Sequence, residues 1–193
     1  MEVLFHFVFI IFKIAILSIV YASIILGLLI LINNILTINW LKLSRPNQKK
    51  MMLKLALMIS IILFIWLFTY WGDHGLGDSF RIPIGNDYAI TAINTTESAF
   101  IDNLRTTCNN RVEMTKFAQS QNKVIGNLNS SFSEFKNSFF VLDISKKEVI
   151  EFQNVIELNN YSIKNDLPKS TELKDFEKNY HKYWSGWRRF LLP

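Results

Sequence analysis

MMLKLALMISIILFIWLFTYW, residues Met51 to Trp71, carries a single charge, Lys54, close to one end. About 20 apolar residues rising 1.5 Å each span a hydrocarbon core of roughly 30 Å. A helix that stays apolar on every face for this length is poorly suited to a soluble core. The stem of Lys54 is long enough to snorkel to the headgroups. Trp66, Tyr70 and Trp71 gather at the far end, as an interfacial aromatic belt does. The stretch therefore reads as a transmembrane helix, and it organises everything on either side of it.

Upstream lies a longer apolar run, Val3 to Leu36, interrupted by His6 and Lys13. As one helix it would measure about 50 Å, more than a bilayer core needs. The span is placed near Ile10 to Ile32, with Lys13 at one interface and Asn33 and Asn34 at the other. Glu2 to Phe9 then forms an interfacial or protruding start. A cleavable signal peptide is the competing reading, but there is no basic n-region, the apolar stretch is too long and no small-residue cleavage site follows. Ala22, Ser23 and Gly27 offer small surfaces for close packing against the second helix.

Between the spans sit Lys42, Arg45, Lys49 and Lys50, with Lys54 just inside the second. Short loops rich in Lys and Arg stay in the cytoplasm. The basic loop, residues 37–50, is therefore expected inside, with both termini outside. Trp40 suits the cytoplasmic interface, and Pro46 keeps the two helices from joining. The organisation expected is a two-span region over 1–71, with spans near 10–32 and 51–71, followed by an extracytoplasmic domain over 72–193.

The whole chain has a formal charge of +5. From Gly72 onward it holds 15 Lys or Arg and 15 Asp or Glu, so the excess comes from six basic residues against Glu2 in the apolar third. The basic character is a topological signal, and no nucleic-acid partner is expected. The remaining 122 residues suffice for one domain with its own core. The single cysteine, Cys108, has no mate for an intramolecular disulfide. Thr106, Thr107, Asn109 and Asn110 surround it, with no nearby His to activate a thiolate. Three glycosylation sequons, starting at Asn94, Asn129 and Asn160, matter only in a eukaryotic host.

The domain reads as α+β. Gly72-Asp73-His74-Gly75-Leu76-Gly77-Asp78 is turn chemistry placed directly after the membrane. Phe80 to Ile84 and Tyr88 to Ile93 read as strands around the hairpin turn Gly85-Asn86-Asp87. Glu97 to Ile101 is a short third strand. Val112 to Gln119 and Lys123 to Leu128 form a second hairpin around Ser120-Gln121-Asn122. Phe139 to Asp143 and Glu148 to Phe152 form the clearest one, rich in aromatic and β-branched residues, with Asp143 and Ser145 favouring the turn. Asn154 with Glu157 three places later has capping-box spacing. A helix follows to about Lys164, expected to bury Val155, Ile156, Leu158 and Tyr161. After Pro168, Ser170-Thr171-Glu172 starts a last helix. On it Phe176, Tyr180, Tyr183, Trp184, Trp187 and Leu191 recur at spacings of three and four, as one stripe. That stripe packs on the sheet, or else its end, with Trp184, Trp187, Arg188, Arg189 and Phe190, forms an interaction surface or returns to the bilayer.

The strand-turn-strand from Phe139 to Phe152 with its capped helix, together with the ending Tyr183-Trp184-Ser185-Gly186-Trp187-Arg188, resembles small uncharacterised membrane proteins of Bacteroidota-type bacteria. The resemblance covers about a third of the chain and carries no known activity. It implies a bacterial inner membrane and a periplasmic domain.

One group of residues suggests chemistry. Asp73, His74 and Asp78, near Arg81, put two carboxylates and an imidazole on a glycine-rich loop. Their spacing matches no zinc pattern and lacks the alternating acidic positions of a calcium loop. A juxtamembrane turn is the favoured reading, since Asp and Gly form turns in their own right. The other histidines are His6, in the first apolar run, and His181, on the last helix. No nucleophile elbow, P-loop or paired-cysteine motif occurs. No catalytic residue, metal ligand or cofactor is assigned. The function expected is a membrane-anchored interaction module, of accessory or immunity type, whose partners are the lipid bilayer and another membrane or envelope protein. The alternative is a membrane-bound, metal-dependent hydrolase using Asp73, His74 and Asp78.

Overall fold

The structure, a computed structural model, describes residues 2–36, 45–105, 111–128 and 137–193. Trp40, Lys42, Cys108 and the Asn129 sequon lie outside the described residues. The chain forms two compact units. One is Met1–Asp73 together with Gly186–Pro193, the other His74–Ser185.

The first unit is built on two helices, α1 (Glu2–Leu36) and α2 (Arg45–Leu67). Both are long and apolar enough to cross a membrane. On α1 the buried positions are Ile10, Ile14, Leu17, Ser18 and Ala22, and on α2 they are Ile59, Leu63 and Leu67. Steps of three and four place each set on one stripe, so the helices meet along a seam. Phe7 meets Phe64 edge-on, with ring centroids 6.4 Å apart. Of the small residues, Ala22 lies on the seam, whereas Ser23 and Gly27 are exposed. Ser23 instead donates to the Ile19 carbonyl at 2.8 Å, the back-bond that lets a hydroxyl sit in an apolar helix. The segment from Glu2 to Phe9 is continuous with α1. Pro46 occupies the first turn of α2, where its missing N–H costs nothing. The helix ends at Leu67, earlier than the apolar run: Phe68, Thr69 and Gly72 donate to carbonyls three residues back, a tightened last turn.

The second unit carries seven antiparallel strands in chain order: β1 (Ser79–Gly85), β2 (Tyr88–Ile93), β3 (Ala99–Arg105), β4 (Arg111–Ser120), β5 (Lys123–Leu128), β6 (Phe139–Asp143) and β7 (Glu148–Phe152). The α+β class, the hairpins and the meander agree with the sequence pattern; the third strand starts at Ala99 and runs on to Arg105. The β1–β2 loop is Asn86-Asp87, with φ of 49° and 63°, the left-handed pair that a two-residue hairpin of the right twist demands. In the β6–β7 turn, Asp143 Oδ1 accepts from the backbone N–H of Ser145 and of Lys146, each at 3.0 Å.

Alternation sorts the strands onto two faces. On one, Ile82, Ile84, Ile90, Ile101, Met114 and Val124 are among the residues that form the main core with Phe140, Leu142 and Phe176. The other holds Ile125, Val141, Phe152, Leu158 and Leu167. Between Met114 and Lys116 the register slips, a bulge that returns Phe117 to the main core face. Asn127 Oδ1 fixes it, accepting from the Lys116 N–H and the Thr115 hydroxyl, both at 2.8 Å.

Two helices close the faces. The first, α3 (Val155–Lys164), is capped by Asn154, whose side chain accepts from the Glu157 N–H. The Glu157 carboxylate reaches one residue farther back than a standard capping box, accepting from the Gln153 N–H at 3.1 Å. The expected burial of this helix needs correction. Leu158 is buried and Tyr161 packs beside the second cluster, but Val155 is exposed and Ile156 is 71% exposed. The i, i+3, i+4 face running from Leu158 through Tyr161 to Ser162 turns inward and Ile156 falls on the opposite side, while Val155, one turn before Leu158 on the same face, is left open at the start of the helix.

The last helix is also corrected. Ser170–Glu172 is a short 3-10 turn, Lys174–Asp175 is a two-residue strand (β8) paired to β4, and α4 runs only from Phe176 to Trp184. β8 joins β4 at Lys116 and Phe117, the part of β4 beyond its pairing with β3. Asn179 Nδ2 donates to the Phe117 carbonyl at 2.9 Å and ties α4 there. The helix stops at Ser185-Gly186, where Gly186 has φ 68° and ψ −140°, a conformation essentially reserved for glycine. A separate turn, α5 (Trp187–Leu191), follows. The aromatic stripe is therefore split: Phe176, Tyr180 and Tyr183 pack on the core, while Trp187 and Leu191 stay exposed.

Candidate functional site

The loop that carries Asp73, His74 and Asp78 is held by its backbone. The His74 carbonyl accepts from the Arg81 N–H at 3.0 Å and from the Tyr180 hydroxyl at 3.3 Å. The Asp78 carbonyl accepts from the Asn94 N–H at 3.0 Å, and Ser79 N–H donates to Leu76. Gly75 sits at φ 91°, with the Ser79 carbonyl oxygen 2.1 Å from where a Cβ would stand. These bonds make the loop the opening turn of β1. Among the described residues, no group of three or more His, Cys, Asp or Glu is placed to hold a metal ion. Asp73, His74 and Asp78 are neighbours in sequence that the fold does not turn into one donor set.

His74 belongs instead to an aromatic junction. Its ring stands edge-on to Trp184 with centroids 5.7 Å apart, and Trp184 Nε1 donates to the Arg81 carbonyl at 2.8 Å. One turn earlier on α4, Tyr180 meets Phe80 edge-on at 5.5 Å and stacks on Phe176 at 5.8 Å. The i, i+4 spacing of Phe176, Tyr180 and Trp184 thus binds α4 to the start of β1. Both polar tips are satisfied by backbone carbonyls, as suits half-buried Tyr and Trp.

The side chain of Arg81 reaches across the sheet surface. Its Nε lies 3.5 Å from Asp102 Oδ2, and the same oxygen accepts from the buried Thr91 hydroxyl at 2.8 Å. Thr91 is the direct neighbour of Arg81 on β2. Three adjacent strands so contribute one member each to a hydrogen-bonded ion pair. The carboxylate is spent on a cation and a hydroxyl, an arrangement that fixes strand register and does not present a free base. Sequence reading passed over Asp102 and Thr91, because only the strand register places them beside Arg81.

Two surfaces remain. On the sheet unit, Ile156 (71% exposed) and Ile163 (64% exposed) form an outward apolar face of α3, with Val155 exposed at the helix start and Ile150 of the outermost strand β7, close in sequence, also exposed. In the helical unit, Trp66 and Trp71 are exposed, and Tyr70 meets Trp71 edge-on at 4.9 Å. The same unit contains the exposed Trp187 and Phe190, with the Arg188 guanidinium 5.7 Å from the Trp187 ring centre. The residues singled out at the end of the chain are therefore divided, Trp184 in the sheet unit and Trp187 to Phe190 with the helical hairpin. No known protein family, curated protein or solved structure matches this chain.

Proposed function

We propose that this protein is a membrane-anchored interaction module, held by α1 and α2 in a bacterial inner membrane, with the sheet unit on the extracytoplasmic side as the docking domain. The basic loop between the spans supports that orientation. One observation carries the binding role: α3 leaves three branched apolar side chains exposed, Ile156 and Ile163 on its outer face and Val155 at its first residue. A small domain gains nothing in stability from wetting them, and an exposed apolar patch of this kind marks a protein contact. An accessory or immunity-type subunit, whose small domain covers part of a larger membrane or envelope protein, fits this layout.

The test is a photo-crosslinking amino acid at Ile156 in native membranes. One discrete adduct with a membrane or envelope protein is expected, and Ile156→Asp should abolish co-purification without unfolding the domain. An undiminished complex in that variant would remove α3 as the contact.

A further inference from the structure

The two edges of the sheet are finished differently. On β1 the Arg81 N–H donates outward to the His74 carbonyl at 3.0 Å, and the Arg81 carbonyl accepts from Trp184 Nε1 at 2.8 Å. Pro83, two residues on, has no N–H to offer. That edge is closed by its own chain. β7 ends the strand order on the other side, and among the described residues no strand pairs with its outer edge. It contains no proline, and its register with β6 runs without a slip from Glu148 to Phe152. A regular, uncovered edge is a template for another strand.

Charge is the usual guard of such an edge, and here its order carries information. The turn and strand read Lys146-Lys147-Glu148-Val149-Ile150-Glu151-Phe152, with Lys146, Lys147 and Glu148 exposed and Glu151 half-buried. Among the described residues, Lys147 and Glu151 take part in no ion pair. Basic residues followed by acidic ones are complemented by an antiparallel copy of the same stretch. A two-fold axis through two identical antiparallel strands sets one residue opposite its own copy, and that residue fixes the register. Lys147, Glu148 or Glu151 on the axis opposes like charges, which is destabilising. Ile150 on the axis sets Lys147 against Gln153 and Glu151 against Val149. Val149 on the axis sets Lys147 against Glu151 twice, once on each side, with two β-branched side chains between the pairs. Only this register pairs opposite charges and opposes no like ones. Val149 also packs beside the main core, so the two cores run together across the axis.

We infer that the β7 edge binds a second copy of this chain. The two β7 strands pair antiparallel about Val149, with Lys147 of each copy facing Glu151 of the other. Five residues make a small contact, strengthened where two long apolar helices per copy confine both copies to one bilayer. The dimer goes beyond the partner proposed at α3 and is independent of it: Ile156→Asp should leave the dimer intact.

Cysteine crosslinking of the full chain in native membranes, after Cys108→Ser, reads the register. Directly opposed residues of an antiparallel pair stand about 4.5–5.5 Å apart at Cα, within disulfide reach, whereas diagonal ones are about 7–8 Å apart. Val149→Cys should therefore form a disulfide-linked dimer on mild oxidation, and Ile150→Cys should give roughly tenfold less. Lys147→Glu and Glu151→Lys, each added to Val149→Cys, should lower the yield roughly tenfold, as two like-charge pairs replace two opposite ones. The double exchange should restore it, which separates loss of charge pairing from loss of fold. A stronger dimer at Ile150 than at Val149, a yield unmoved by charge reversal, or a double exchange that stays low would each overturn the inference. So would the absence of a crosslink at both positions, or Val149→Cys joined to a different protein.

Discussion

Gly126 shows how much a missing side chain can decide. It lies in the middle of β5, paired with Phe117 on one side and Phe140 on the other. A Cβ at this position would stand 2.7 Å from the Phe140 ring and 3.1 Å from the Lys116 carbonyl. The ring of a neighbouring strand covers the glycine and restores the packing that a bare strand position lacks. Gly126→Ala should therefore cost about 1–3 kcal/mol, the usual penalty of overpacking, seen as a lower midpoint in chemical denaturation of the full chain in detergent. A neutral substitution would mean that Phe140 swings aside freely. Such a site is hard to read from sequence, because a lone glycine in a strand pattern points equally to a bulge. The Arg81–Asp102–Thr91 cluster escaped for a related reason: each member is ordinary in its own strand. Asp73, His74 and Asp78 stood out by contrast through chemical type alone, and the fold uses the His74 and Asp78 carbonyls in the turn and sets the His74 ring against Trp184.

Among the elements, the hairpins were legible because turn chemistry and alternation act over a few residues. Asn86-Asp87 and Asp143 to Lys147 each hold their own geometry. The last helix misled because a spacing of three and four continues through Ser185-Gly186, and only the glycine marked the stop. Its true start is governed by Asp175, the N-cap, whose carboxylate accepts from the Lys178 N–H at 2.9 Å and from Lys178 Nζ at 2.8 Å. The side-chain bond from Lys178, followed by its backbone N–H, holds the Asp175 carboxyl below its ordinary range. A depressed acid stabilises the fold while it is ionised. The contribution is complete above the pKa of an unfolded aspartate and is lost as pH falls through the lower folded value. Solvent screens this exposed pair, so the effect is modest. The melting temperature of the wild type should exceed that of Asp175→Ala at neutral pH, and the gap should narrow on acidification. A gap independent of pH would show that charge has no part in the cap.

For the whole molecule, the charge of the loop between the two apolar helices bears on which side each part faces. The basic loop predicts that a cysteine introduced at residue 42 resists a membrane-impermeant thiol reagent in intact cells, whereas one at Lys146 reacts, both tested after Cys108→Ser. The reverse labelling pattern would invert the topology. Hydropathy made the two long apolar helices plain, since length and charge alone mark them. That Gly186–Pro193 would belong with the helices and not with the sheet was hidden, because it depends on a contact between Tyr21 and Leu191 at opposite ends of the chain.

The strand order also sets how the domain comes into being. Each of the seven strands pairs with the one made just before it, across loops as short as two residues at the first hairpin. Short loops close at little entropic cost, and contacts local in sequence favour fast folding. The sheet can grow strand by strand as synthesis proceeds, and no early strand waits for a distant mate. The exception is the seam where β8 and α4 come back to β4 and β1, which forms only when residues beyond Lys174 have emerged. Until then Phe117 and its neighbours lack their cover, so a ribosome stalled shortly before that point would expose a nearly finished sheet with one greasy face open to capture or cleavage.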